Sequence, residues 1–235
     1  MLHENLWQFM TYKNERFTFG EELANSISHG IGVVFGIIAL LLMLSTAGAG
    51  EATPSHYVGA VLFGGGLIQL FLSSTMNHSL RSKTWGKDFF HNYDQVAIYF
   101  LIAGTYTPIA LVGIHGPWGW SMFGLQWGFA IAGILVKTLL PNKYEKGVNV
   151  FTIVTYIFMG WMILYFIYPC YARIHPMGMG FIFIGGGLYT LGVVFFKLEG
   201  RLKFAHLIWH IFVLGGAVCH WLAVWLYILP LDLEW

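Results

Sequence analysis

Seven apolar stretches recur along the chain, each long enough to cross a hydrocarbon core of about 30 Å, which takes roughly 20 helical residues. They fall near 27–46, 57–78, 92–113, 119–137, 149–168, 178–197 and 205–229, with ends placed to within about 2–4 residues. The pattern predicts an all-α integral membrane protein, a seven-transmembrane helix bundle. A cytoplasmic amino-terminal segment, residues 1–26, is expected to precede a seven-span domain, residues 27–235. The connections are short and carry the polar and turn-forming residues, as from Gly48 to Pro54, His115 to Pro117, Pro141 to Gly147 and Pro169 to Met177. No soluble domain fits between them, and the first twenty residues lack the pattern of a cleaved signal peptide.

Composition agrees. Of 235 residues, 57% are hydrophobic and only 10% charged, too apolar for a soluble domain of this length. Lys and Arg in short loops resist translocation, so their distribution predicts orientation. Eleven of the twelve, Lys13, Arg16, Arg81, Lys83, Lys87, Lys137, Lys143, Lys146, Lys197, Arg201 and Lys203, fall on one side, and only Arg173 on the other. The amino terminus is therefore expected inside and the carboxyl terminus outside. A net charge of +1 with no dense basic run excludes nucleic acid as a partner. Cys170 and Cys219, in an outer loop and within the last span, indicate no disulfide framework.

Other positions have plain structural readings. Trp118, Trp120, Tyr168, Tyr171, Trp225 and Tyr227 near the outer ends suit an interfacial aromatic belt. The glycine triplets in Val61–Leu67 and Phe181–Leu188 read first as sites of close helix packing, with internal duplication as the lesser reading. Gly32 with Gly36 and Gly124 with Gly128 read as packing too. Pro108, at the end of Gly104-Thr-Tyr-Thr-Pro108, should bend the third span, and Thr105 or Thr107 should cover freed carbonyls.

Ionisable residues in or at the edge of spans are costly and so are candidates for function. They are His29, His78, Asp94, His206, His210 and His220. The predicted topology brings His78, Asp94, His206 and His210 to the cytoplasmic ends of spans 2, 3 and 7. His206 and His210 are four apart and share a helix face, as do Ser74 and His78. Three imidazoles with a fourth position left open are the ligand pattern of a catalytic zinc. Asp94 and Ser74 are placed to hold water beside it or to orient a ligand, and Asp94 is the carboxylate available as a base. Leu207 stands where a zinc protease of the His-Glu-x-x-His type carries its glutamate, which excludes that class.

His29 lies in Glu21-Glu22-Leu-Ala-Asn-Ser-Ile-Ser-His-Gly30, where the two glutamates suit the positive end of a helix dipole. Asn25 and His29 are read as bonding to a neighbouring helix rather than to metal. His220 is ten residues beyond His210, about 15 Å along a helix, too far to share an ion, and Cys219 is excluded likewise.

Ser73-Ser-Thr-Met-Asn-His78, Asp94 with Ala97 to Pro108, and His206-Leu-Ile-Trp-His210 resemble the hemolysin III family, which is related to the progestin and adipoQ receptors and more distantly to alkaline ceramidases. Glu21 to Gly30 resembles the start of that family's first span. Met76-Asn77 departs from it, standing where the family often has an aromatic before the histidine. The resemblance implies a zinc held by His78, His206 and His210, with Asp94 and Ser74 around the adjoining water. It also implies hydrolysis of lipid amides, the activity associated with the receptor and ceramidase relatives, and so membrane lipids as partners. Without long receptor tails, a compact protein of the bacterial inner membrane is expected. The competing expectations are a metal-stabilised receptor, homeostasis sensor or cytolysin without turnover. A retinal protein is excluded, since no lysine lies between His206 and Leu229.

Overall fold

The computed structural model describes residues 17–48, 52–81, 83–140 and 145–231. Within them the chain folds as α1 (Phe19–Ala47), α2 (Pro54–Ser79), α3 (Trp85–Pro108), a π-helical continuation (Ile109–Ile114), α4 (Gly116–Leu139), α5 (Glu145–Gly160), a 3₁₀ turn (Met162–Leu164), α6 (Ile167–Arg173), α7 (Pro176–Lys197) and α8 (Ala205–Tyr227). Seven segments among the described residues are long and apolar enough to cross a membrane, and no strand occurs among them. They match the seven expected runs. Residues 1–16 of the expected amino-terminal segment, with Lys13 and Arg16, lie outside the described residues, as does Lys143.

Two spans begin well before their expected starts, at Phe19 rather than 27 and at Trp85 rather than 92. The cause is local capping. Thr18 N-caps α1 through a capping box: its backbone N donates to Glu21 Oε2 at 3.0 Å, and Glu21 N donates to Thr18 Oγ1 at 3.4 Å. Thr84 caps α3 in a similar way, accepting from Lys87 N at 3.2 Å. At 29 residues α1 is about 43 Å long, more than a hydrocarbon core needs. Its polar first turns therefore project beyond the apolar run that marked the span.

Small residues set the packing. A Cβ on Gly32 would meet the Phe71 ring at 2.5 Å, one on Gly64 would meet Leu40 at 2.7 Å, and one on Gly104 would meet the Leu62 carbonyl oxygen at 2.5 Å. These contacts hold α1 on α2 and α2 on α3. In the second triplet Gly185 makes room for His220, whose Nε2 bonds the Ile182 carbonyl at 3.0 Å. Gly124 and Gly128, by contrast, have nothing within 4 Å, so the packing role expected of them is not realised.

Pro108 does disturb its helix, which continues as π-helical turns ending in a His115 N to Ala110 carbonyl bond of 3.0 Å. The threonines do not cover the carbonyl of Gly104, the one the proline deprives of its donor. Thr105 and Thr107 bond their own i−4 carbonyls, Leu101 and Ala103, at 2.7 and 2.8 Å. The fifth span is not one continuous helix either. It breaks after Gly160, and the Tyr106 hydroxyl spans the break, donating to the Gly160 carbonyl at 2.6 Å and accepting from Ile163 N at 3.1 Å.

A candidate three-histidine metal centre

α2 ends at Ser79 and α8 begins at Ala205, so their last and first turns meet at the same end of the bundle, and α1 packs against both. This arrangement brings three histidines together. One ring nitrogen from each of His78, His206 and His210 lies within 4.8 Å of the other two. His78 Nε2 and His206 Nε2 are 3.1 Å apart. All three residues are buried, His210 completely.

The hydrogen bonds on the opposite nitrogens determine what these atoms present. His78 Nδ1 lies 2.5 Å from Glu22 Oε2, and His206 Nδ1 lies 2.5 Å from Glu199 Oε1. A carboxylate accepts, so each Nδ1 carries the hydrogen and donates it. His210 Nδ1 lies 3.0 Å from Ser28 Oγ, whose single hydroxyl hydrogen already goes to the Asn25 carbonyl at 2.8 Å. Ser28 must therefore accept, and His210 donates as well. Each neutral imidazole then has its lone pair on Nε2. His210 Nε2 is buried with no hydrogen-bond partner. Three lone pairs directed into one buried space repel one another unless a cation lies between them, so the donor set fits a metal ion.

A family model described as Haemolysin-III related matches residues 17–221. The chain belongs to this family. It is similar to Hemolysin-3 of Bacillus cereus, at 39% identity over 94% of this chain and 99% of that one. It is similar also to a Hemolysin-3 homolog of Bacillus subtilis (strain 168), at 37% identity over 90% of this chain and 96% of that protein. The human Monocyte to macrophage differentiation factor is 33% identical over 97% of this chain and 95% of its own. With its seven spans, this haemolysin III protein is a multi-pass membrane protein, and its bacterial relatives point to the cell membrane.

The remaining expected site residues divide into those beside the three histidines and those apart from them. Ser74, one turn before His78, is fully buried with no partner for its Oγ, and it neighbours the Asp94 carboxylate. Asp94 is not among the converging ligands; its Oδ2 accepts from Asn77 Nδ2 at 3.1 Å. His29 does not join them either, but stacks flat on His210, with centroids 3.5 Å apart and planes at 11°. His220 is held elsewhere by the Ile182 carbonyl.

Two carboxylates that the sequence did not single out as partners of the histidines, Glu22 and Glu199, bond them directly. Glu21 does what a first-turn acid is expected to do, closing the capping box and accepting from Phe204 N at 3.0 Å. Glu22 goes further and reaches His78. The available signal was its register, seven residues before His29 on one face of a helix that extends into the polar zone. Glu199 lies in the irregular connection after α7, where spacing gave no direction.

Proposed function

We propose that this protein is an integral membrane zinc hydrolase acting on a membrane lipid at an amide bond, with its site near the cytoplasmic face. The observation that carries the reading is the set of three Nε2 lone pairs. His78 Nε2 and His206 Nε2 are 3.1 Å apart and one nitrogen of each of the three histidines lies within 4.8 Å of the others, a donor set that would hold zinc through imidazole nitrogen. When bound by these residues, zinc would supply Lewis acidity toward a carbonyl and toward water near neutral pH. Asp94, steadied by Asn77, accepts the proton from the attacking water, and Ser74 Oγ orients that water. The new C–O bond replaces the C–N bond, and the proton passes from Asp94 to the leaving amine.

Asp94→Asn should keep most of the zinc while losing lipid-amide turnover, because a residue outside the ligand set acts on the reaction more than on metal retention. Metal analysis and a lipid-hydrolysis assay on the same purified sample decide it. Wild-type turnover in the variant would remove Asp94 from the chemistry, and zinc loss as complete as a ligand mutant's would make it a ligand.

The cytoplasmic placement rests on the Lys and Arg asymmetry. Alkaline phosphatase fused after Trp235 should be active, since an outside carboxyl terminus exports it. A stably inserted but inactive fusion would overturn the topology.

One observation favours a second reading, a metal-stabilised protein without turnover. The Phe17 ring sits 4.9 Å from His206 and 6.0 Å from His78, covering part of the centre. A centre shielded in part by this ring suits a sensor or receptor, or a cytolysin, as the name of the Bacillus cereus relative, Hemolysin-3, suggests for that protein. Absence of turnover against every lipid amide tested, with zinc fully retained, would support it.

A further inference from the structure

The carboxylates that reach the histidines belong to segments that supply no ligand. Glu22 is on α1, none of whose residues is among the three converging histidines, and Glu199 is in the connection before α8. We propose that Glu22 and Glu199 are positioning residues that set the affinity of the centre by locking His78 and His206 in the ligating tautomer and making both stronger donors. The inference rests on the metal-binding part of the function proposed above and is independent of the hydrolytic part.

Geometry supports this assignment at both positions. A free imidazole rotates and exchanges its hydrogen between two nitrogens, whereas one held at Nδ1 keeps Nε2 aimed at a fixed point. Glu22 is itself fixed from the far side. Lys87 Nζ lies 3.4 Å from Glu22 Oε1 and also donates to the carbonyl of Asn77, the residue next to His78. Both glutamates are largely buried, with side-chain exposures of 15% for Glu22 and 4% for Glu199. A carboxylate is costly to bury unless hydrogen bonds and charge compensate it, and a cation gathered by the two imidazoles does so through the ring.

The third ligand differs, because His210 is held by the neutral hydroxyl of Ser28. A hydroxyl fixes the tautomer but adds no negative charge to the ring. The proposal therefore predicts a graded series: loss of Glu22 or Glu199 weakens metal binding more than loss of Ser28.

The test is competition titration of cobalt(II) and zinc(II) against a chelator on purified full-length protein, with the cobalt absorption spectrum recorded for each variant. Glu22→Gln and Glu199→Gln keep an acceptor oxygen at Nδ1 and lose the charge; Glu22→Leu and Glu199→Leu lose both. Outer partners of this kind are worth about 10–100-fold in affinity, so the Gln variants should fall about tenfold and the Leu variants about a hundredfold. The cobalt spectrum should change in the Leu variants and be restored in the Gln variants, which a general loss of stability does not produce. If wild type binds no metal, the metal centre and this inference fall together. If wild type binds and the Gln variants match it in affinity, the inference alone is overturned, whether or not the Leu variants fold.

Discussion

His210→Ala should strip the centre of metal, whereas His220→Ala should leave metal retention intact. His210 supplies one of three converging Nε2 atoms and is completely buried. Zinc sites built by folding have apparent binding energies of about 10–16 kcal/mol, so a third of that is about 4 kcal/mol, or about a thousandfold in affinity. His220 bonds only the Ile182 carbonyl, and losing that bond should cost about 1 kcal/mol of stability with no change in metal content. Zinc-to-protein ratios after dialysis against a weak chelator separate the two. Equal ratios would mean that the ligand set is wrong.

That contrast was legible in the sequence. Two histidines a helical turn apart, and a third at the matching end of another span, were enough to find the three that converge, because alternation of spans fixes depth without tertiary information. The carboxylates that bond these histidines were not legible. Glu199 has no periodic context, and Glu22 had a sufficient local explanation in the helix dipole, so nothing in spacing demanded a partner 56 residues away. The early starts of α1 and α3 were hidden for a related reason. Hydropathy detects where hydrocarbon ends, while capping by Thr18 and Thr84 decides where the helix begins. Packing glycines were visible as a class but not individually: Gly64 and Gly66 press on neighbouring helices, whereas Gly65, Gly124 and Gly128 face open space.

Gly104→Ala should be among the most damaging methyl additions at the α2–α3 contact. Its Cβ would stand 2.5 Å from the Leu62 carbonyl oxygen and 3.2 Å from that carbonyl carbon. These are backbone atoms of α2, so no side chain can rotate aside and α3 must move away. Overpacking of this kind costs about 1–3 kcal/mol, and the shift also separates Asp94 on α3 from Asn77 and Ser74 on α2. Gly65→Ala is the control, since nothing lies within 4 Å of its added methyl and alanine gains about 0.5–1 kcal/mol over glycine within a helix. Thermal unfolding in detergent should show a clear fall for Gly104→Ala and no fall for Gly65→Ala. Coincident midpoints would show that α2 and α3 are not tightly apposed.

The bond between Ser28 and His210 joins positions 182 residues apart, the first span to the last. Synthesis at about 5–20 residues per second means that roughly ten seconds or more separate the emergence of these two residues from the ribosome. For that interval α1 is already in the bilayer with its hydroxyl and glutamate awaiting histidines that have not been made. A metal held as proposed would be captured only once α8 has been made, because a nascent chain halted before α8 holds only one of the three imidazoles. On the proposed reading, a chain stalled before α8 would hold metal far more weakly than one that has made it.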